Sequence, residues 1–272
     1  MKIHVVDGNN VLRRKVEAEG PYVIKDLYVN SFTKTLAGET VIWVWDGKNA
    51  KQARRNILAE YKEGDGNTTD EFYKFMSEFK GLMNHSKAIQ VELEGYEGDD
   101  LIAQIVNFKS ADTEVFIDSN DQDFRQLLKD STITLEYNAP KFDGIPYDDI
   151  RIYKTLCGDS ADNIKGLKGF GPKTFAKLND TQKTLIEHFI LGEVELDEAE
   201  VKEQIGFTPA MVKNFIGSRD LLKKYWDIVG FLWIDGAKLS QAMKLGDGNM
   251  AAAQKILDVL AIDKDIPSMA TA

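Results

Sequence analysis

The sequence has 272 residues, enough for one large α/β domain with an appendage or for two modest domains. Its hydrophobic content of 43% excludes a disordered chain, and no apolar run is long enough to cross a bilayer, so we expect no membrane partner. The net charge of −10 weighs against a nucleic-acid partner unless many of the acids serve a metal site.

The first 146 residues alternate strands with helices. The segments "KIHVVD", "TVIWVWD", "AIQVELEG" and "TEVFIDS" are rich in Val, Ile and aromatic residues and predict buried strands, and "TITLEYN" predicts an edge strand. The start, "MKIHVVDGNN", indicates a strand that enters a turn, without the apolar segment of a signal peptide. The predicted helices between these strands cover 26–36, 69–85, 98–109 and 121–129. This alternation predicts an α/β fold with a mostly parallel, twisted sheet flanked by helices.

From residue 147 onward the pattern indicates only helices and short loops. The predicted helices cover 147–157, 172–191, 209–226 and 249–261. We therefore expect an α/β core over 1–146 and a helical part over 147–272. The single cysteine, Cys157, excludes an intramolecular disulfide and fits the reducing environment of a cytoplasm.

Acids follow four of the predicted strands. They are Asp7 after the first, Asp46 after the second, Glu97, Asp99 and Asp100 after the third, and Asp121 and Asp123 after the fourth. Because the carboxyl ends of parallel strands line one crevice, we expect these side chains at one edge of the sheet.

Taken singly, these acids have a simpler interpretation. An Asp after a strand often caps a helix or forms a turn. The three carboxylates within Glu97–Asp100 fit this interpretation less well, since they repel one another without a cation. Carboxylates with no His or Cys cluster favour Mg²⁺, with Mn²⁺ as a substitute, over zinc. Their number suits two ions about 4 Å apart, the arrangement used in phosphodiester hydrolysis.

The segment "GDSADNIKGLKGFGPKT", residues 158–174, combines acids with a basic turn. Asp159 and Asp162 are spaced to share one face of a helical turn, and we add them to the metal candidates. The following "GLKGFGPKT" resembles a helix–hairpin–helix loop that holds a phosphate, although an ordinary helix–helix turn has the same glycine spacing. Its candidate DNA-binding residues are Lys165, Lys168, Gly169, Gly171, Lys173 and Thr174.

A nucleic-acid backbone suits both features, because the metal ions would act on one phosphate while the turn holds another. If the nine candidate acids are set aside, the net charge of −10 becomes −1. The acidity of the whole chain is therefore weak evidence against a DNA partner.

Five ordered motifs resemble the 5′-nuclease (flap endonuclease) superfamily, which includes stand-alone bacteriophage 5′-3′ exonucleases and the nuclease domain of bacterial DNA polymerase I. They are "VVDGNN", "VWDGKNAKQARRNILAEYK", "GYEGDDLIAQI", "DSNDQDFRQLL" and "GDSADNIKGLKGFGPKT". The resemblance covers about residues 3–178, and residues 179–272 carry no matching motif. Because the chain ends where a polymerase would begin, we expect a stand-alone enzyme and not an intact polymerase I. We expect it to be cytoplasmic and monomeric, and to come from a bacterium or a phage-infected host.

The resemblance implies a two-metal site formed by the nine acids, a helical arch near 47–85, and a helix-three-turn-helix over 158–178 that can hold K⁺. It implies cleavage of DNA with 5′ flaps, junctions or 5′ ends, or of an RNA–DNA hybrid, leaving a 5′-phosphate. It assigns Lys62 to the scissile phosphate and Tyr61 to stacking on a terminal base, and it adds Arg54 to the catalytic set. From composition alone, Tyr61 and Lys62 would lie on an ordinary helix surface.

The sequence departs from the family pattern at several positions. Asp65 occupies a position where an arginine is common, Lys165 and Lys168 replace prolines, and Phe175 replaces a small residue. A catalytically inactive junction-binding protein and a PIN-type ribonuclease therefore remain alternatives. The intact acids disfavour the first, and the hairpin disfavours the second. A phosphatase with an Asp nucleophile is disfavoured because "DGN" lacks the required second Asp.

Overall fold

The computed structural model describes residues 1–64, 69–136 and 144–260. Its chain forms two compact units, each made of separate segments. The first comprises the described residues of Met1–Ala50, Gly66–Lys141 and Trp233–Ala272, and the second those of Lys51–Asp65 and Phe142–Leu232. The predicted boundary between 146 and 147 divides the chain once, whereas the structure returns residues 233–260 to the first unit. The assignment of 1–146 and 147–272 to separate functions stays a prediction.

The first unit is built on a six-stranded sheet with the order β5-β4-β1-β2-β3-β6. Neighbouring strands from β5 to β3 are parallel, and β6 pairs antiparallel with β3. The predicted mostly parallel α/β fold is confirmed. The strands are β1 Lys2–Asp7, β2 Thr40–Trp45, β3 Ile89–Glu92, β4 Glu114–Asp118, β5 Ile133–Leu135 and β6 Met243–Leu245.

The helices confirm the alternating pattern but differ from the predicted segments in detail. Short 3₁₀ turns cover Gln122–Leu127 and Tyr147–Asp149, and a π-helical turn covers Val201–Ile205. The α-helices are α1 Gly8–Glu19, α2 Val23–Leu36, α3 Gln52–Ile57, α4 Asp70–Met83, α5 Gly98–Asn107, α6 Ile150–Cys157, α7 Pro172–Phe175, α8 Asp180–Leu191, α9 Glu198–Glu200, α10 Pro209–Gly217, α11 Arg219–Val229, α12 Gly236–Ala242 and α13 Met250–Val259.

Local capping explains two of these differences. The expected turn after β1 is instead the start of α1, because a side-chain oxygen of Asp7 accepts a hydrogen bond from the backbone of Asn10. The expected single helix over 172–191 is two helices, because Asn179 and Gln182 form a capping box that starts α8.

The core of the first unit lies against β2. Trp43 and Trp45 stack with ring centroids 5.6 Å apart, and Phe79 from α4 meets Trp43 edge-on at 5.0 Å. Ile42 and Val44 point to the opposite face of the strand and are also buried. Both faces of the sheet are therefore covered, as the continuous apolar pattern of "TVIWVW" predicts.

The second unit has its own core of helices. Phe189 of α8 and Phe215 of α10 pack with ring centroids 4.7 Å apart, and Phe207 meets Phe215 edge-on. Residues of α6 and α11 complete this apolar cluster. Across the described ranges, no helix has both the length and the apolar character that a membrane crossing requires.

The loops that follow β2 and β3 are joined at Gly47. Its N–H donates to Tyr96 O at 3.1 Å, and the N–H of Gly95 donates to Lys48 O at 2.8 Å. A Cβ atom on Gly47 would lie 1.8 Å from Leu93 O, so only glycine fits this contact.

Gly47→Ala should lower the free energy of unfolding by about 1–3 kcal/mol, because the backbone must move to admit the methyl group. Gly81→Ala is the matched control. A Cβ at Gly81 in α4 has no atom within 4 Å, and this change should stabilise the chain by about 0.5–1 kcal/mol. Urea unfolding measures the change in the free energy of unfolding for both variants. A Gly47→Ala variant as stable as the wild type would contradict this packing.

Candidate active site

The acids of the first unit lie where parallel strands end. Asp7 is the last residue of β1, and Asp46 directly follows β2. In the sheet register Asp7 lies opposite Val44, and Val6 lies opposite Asp118 at the end of β4. The loops that follow β1, β2 and β4 therefore leave the sheet at the same edge.

Asp7 is buried and hydrogen-bonded on both oxygens. Oδ1 accepts from the N–H of Asn10 at 3.2 Å, and Oδ2 accepts from the hydroxyl of Ser119 at 2.8 Å. The pKa of Asp7 is raised to about 7, mainly by burial. The two hydrogen bonds lower this pKa, and the negative charges of Asp46 and Asp121 raise it. Two other carboxylates thus act electrostatically on Asp7 at this edge.

Asp46 connects β2 to the start of α5. Its N–H donates to Asn9 Oδ1 at 3.1 Å, and its Oδ1 accepts from the N–H of Gly98 at 2.8 Å. Glu97 occupies the N-cap position of α5 without a side-chain capping bond, and Asp99 and Asp100 lie in the first turn. Asp46 is therefore linked directly to the segment that carries these three acids.

The capping interpretation is confirmed for two of the acids. Asp7 caps α1, and Asp121 caps the 3₁₀ turn that contains Asp123 by accepting from its N–H at 2.8 Å. Each of these caps uses a single carboxylate oxygen. Capping and metal binding by the same residue are therefore compatible.

The donor set of the first unit fits a hard divalent cation. Its candidate ligands are carboxylate oxygens, which Mg²⁺ and Mn²⁺ prefer. Mutual repulsion, which contributes to the raised pKa of Asp7, would be relieved by a bound cation. Within residues 1–64, 69–136 and 144–260, no group of three or more His, Cys, Asp or Glu side chains is already arranged to hold a metal ion.

The second unit carries Asp159 and Asp162 beside a buried lysine. Lys154 Nζ lies 2.6 Å from Asp159 Oδ2 and 3.7 Å from Asp162 Oδ2. The expected helical turn is instead a tight loop, because Asp159 and Ile164 exchange two backbone hydrogen bonds of 2.8 Å. Sequence reasoning missed Lys154, whose signal was a single lysine in the apolar segment "IYKTLC".

Lys62 is held in a turn against the same loop. It has a φ of 48°, its Nζ lies 3.6 Å from Asp162 Oδ1, and its N–H donates to Asp162 O. The side-chain amide of Asn163 donates to Glu60 O at 3.0 Å. The segment around Lys62 and the loop that carries Asp162 are thus fixed together within this unit.

Arg54 and Tyr61, expected in catalysis, lie inside the second unit. Arg54 is 4% exposed, and its Nε donates to Ile228 O at 3.1 Å. Tyr61 is 2% exposed and packs in the apolar cluster, with the Arg54 guanidinium 5.7 Å from its ring centre. These contacts support the turn before Lys62, and the buried ring is not accessible to a base in this structure. Asp65 lies outside the described residues.

The hairpin displays exposed lysines. Lys165, Lys168 and Lys173 are exposed, as is Lys177, which the sequence reasoning left out. Among the described residues, none of these four ammonium groups forms an ion pair. Each of these ammonium groups is therefore accessible to an anion such as a phosphate.

The backbone of the hairpin follows part of the predicted pattern. Gly169 has a φ of 84°, a conformation that favours glycine, while Gly171 is extended. Lys168 O accepts from Asn214 of α10 at 3.0 Å, and Thr174 is half-buried in α7. Because α7 has a single turn, its dipole adds less to phosphate binding than the expected long helix would. Phe175 is buried, edge-on to Tyr153.

Residues 2–151 match the family model described as the 5′-3′ exonuclease, N-terminal resolvase-like domain. The chain belongs to the 5′-3′ exonuclease family. The resemblance inferred from the motifs is thereby confirmed.

Relatives of this exonuclease-family chain include both short and long proteins. The 5′-3′ exonuclease of Mycoplasmopsis pulmonis is 26% identical over 212 residues, which cover 69% of each chain. The thermostable DNA polymerase I of Thermus aquaticus is 31% identical over 215 residues, which cover 74% of this chain. The chain spans about a quarter of the length of the DNA polymerase I relatives it matches, 24% in Thermus aquaticus and 25% in Caldicellulosiruptor bescii.

A solved structure shares the fold. The bacteriophage T5 D15 flap endonuclease, in a pseudo-enzyme-product complex with DNA and metal ions, matches 96% of this chain and 99% of its own with a TM-score of 0.60. The sequence identity is 20%, so the likeness supports the fold of the exonuclease-family chain.

Lys154→Met should lower the free energy of unfolding by about 3–5 kcal/mol, because it leaves the partly buried Asp159 without its cation and leaves the buried Asp162 with Lys62 alone. Lys223→Met is the matched control, since Lys223 pairs with Asp227 on a more exposed part of α11 and should cost less than about 1 kcal/mol. Urea unfolding compares the two. Equal losses would show that Lys154 does not stabilise the loop.

Proposed function

We propose that this chain is a Mg²⁺-dependent, structure-specific 5′-nuclease. It would hydrolyse phosphodiester bonds of DNA, or of RNA primers paired with DNA, at 5′ flaps, junctions or 5′ ends, and leave a 5′-phosphate. One observation carries the proposal. In a chain of the 5′-3′ exonuclease family, Asp7, Asp46 and Asp121 follow three adjacent parallel strands and interact electrostatically at one edge of the sheet.

The seven acids of the first unit would hold the divalent ions. Bound Mg²⁺ would supply an activated water and would stabilise the leaving oxygen, with Mn²⁺ as a substitute. Asp7 and Asp46 would contribute carboxylates whose positions are fixed by hydrogen bonds from Asn10, Ser119 and Gly98. The inclusion of Asp159 and Asp162 in the same ligand set stays a prediction from the resemblance.

The second unit would bind the nucleic-acid backbone. Lys165, Lys168 and Lys173 are exposed near a turn with a left-handed Gly169, and such lysines neutralise phosphates without reading the bases. Lys62 would contact the scissile phosphate as a second cationic group. The complex of the T5 enzyme with DNA supports a DNA partner for this chain. We also propose a K⁺ ion at the hairpin, a monomeric state and a cytoplasmic location.

Asp46→Ala should reduce flap cleavage in Mg²⁺ by about three decades or more, since loss of a metal ligand removes several kcal/mol of transition-state stabilisation. Flap binding in EDTA should stay within about threefold of the wild type, because the change removes a negative charge rather than a phosphate contact. Cleavage is measured under single-turnover conditions with a labelled flap.

Asp130→Ala is the control for this experiment. It removes the same charge from a partly exposed acid of the first unit that pairs with Lys109 and is not a candidate ligand, so it should leave cleavage unchanged. Wild-type cleavage by Asp46→Ala would refute the assignment of the metal ligands. Equal loss in both variants would point to a general charge effect instead.

The double variant Lys168→Ala/Lys173→Ala should weaken flap binding about equally for all sequences. The slope of log K against log salt should flatten by about 0.9 for each phosphate that the variant no longer neutralises. The rate at saturating substrate should change little. Lys202→Ala/Lys238→Ala is the control, because it removes two exposed lysines outside the hairpin and should keep the slope. An unchanged slope in the hairpin variant would show that this turn is a structural corner.

A further inference from the structure

Ser119 joins two of the acidic loops. It lies directly after β4, is 0% exposed, and its hydroxyl donates to Asp7 Oδ2 at 2.8 Å. The Oγ atom of Ser119 also accepts a hydrogen bond from the N–H of Asp121 at 3.0 Å. Because a serine hydroxyl has one proton, donation to Asp7 leaves a lone pair for the N–H of Asp121. Ser119 therefore satisfies both neighbours at once.

A second contact holds these two loops together. The N–H of Asn120 donates to Asn10 Oδ1 at 3.3 Å, and the side-chain amide of Asn10 donates to Asn120 Oδ1. The backbone of Asn10 also donates to Asp7 Oδ1. Asp7 is thus oriented from its own loop by Asn10 and from the loop after β4 by Ser119.

We propose that Ser119 is a positioning residue that fixes Asp7 beside Asp121 and so sets the affinity of the divalent-ion site. The inference rests on the proposed function, because Asp7 and Asp121 are the acids assigned there to the ion. Hydrogen-bond partners that orient ligand carboxylates change metal affinity or activity by about 10–100-fold when they are removed. Ser119 itself is not assigned to the ion: Asp7 engages its proton, and the N–H of Asp121 engages one of its two lone pairs.

Ser86 provides a matched control. It is also 0% exposed, its hydroxyl donates to Met83 O at 2.7 Å, and it accepts from the N–H of Ala88 at 3.0 Å. It precedes β3, whereas the acids follow the strands. Ser86→Ala therefore removes a buried hydroxyl with the same pattern of hydrogen bonds, without touching an acid.

The test is a Mn²⁺ titration of the full chain without DNA, followed by electron paramagnetic resonance. Ser119→Ala should bind Mn²⁺ about 10–100-fold more weakly than the wild type, while Ser86→Ala should stay within about threefold. Ser119→Thr keeps the hydroxyl and should restore affinity to within about threefold. If Ser119→Ala does not fold, Ser119→Cys carries the same comparison, because a thiol keeps the volume and is a weak donor.

Two outcomes separate this inference from the proposed function. The positioning role would be overturned if Ser119→Ala bound Mn²⁺ as tightly as Ser86→Ala. Where Ser119→Cys replaces Ser119→Ala, the same comparison applies to it. Asp7→Asn serves as the reference and should lose Mn²⁺ affinity whatever the role of Ser119. An Asp7→Asn variant with wild-type affinity would overturn the metal site itself, and the inference with it.

Discussion

The burial of one carboxylate beside others at one edge of a parallel sheet is the constraint on which the site depends. Burial is the largest cost to the charge of Asp7. The register of β1 with β2 and β4 fixes where their loops begin, and the charges of Asp46 and Asp121 add to this cost at the same edge. Fixed N–H and O–H donors offset part of this cost, and a divalent cation would offset much more of it.

The second unit meets the same problem with protein cations. Lys154 lies between Asp159 and Asp162, and Lys62 lies on the other oxygen of Asp162. In the second unit, protein cations therefore lie directly beside both acids. In the first unit, Asp7 is buried beside other acids, and its pKa is raised to about 7.

Much of the fold followed from local sequence. The strands of the sheet were predictable because "VIWVW" and similar runs are apolar on both faces, and the placement of acids after strands followed from the parallel topology. The strand Met243–Leu245 was not predictable from the sequence, because three residues are too few to show a periodicity. Its pairing with β3 also joins distant parts of the chain. The burial of Arg54 and Tyr61 was also not predictable, because both depend on contacts with distant parts of the chain. Arg54 donates to a backbone carbonyl near the end of α11, and Tyr61 packs in the apolar cluster of the second unit. Lys154 acts through a tertiary contact that no motif encodes. Ser119 lies inside the motif "DSNDQDFRQLL", but its contact with Asp7 joins two loops that are distant in the sequence.

The polarity of cleavage by the wild-type chain tests the central claim most directly. Two duplexes of the same sequence, one with a labelled 5′ flap and one with a labelled 3′ flap, would be incubated with the protein in Mg²⁺ or in EDTA. The account predicts cleavage of the 5′ flap alone, only in Mg²⁺, with a 5′-phosphate on the product. Equal cleavage of both flaps, cleavage in EDTA, or binding to the 5′ flap without cleavage in Mg²⁺ would contradict it.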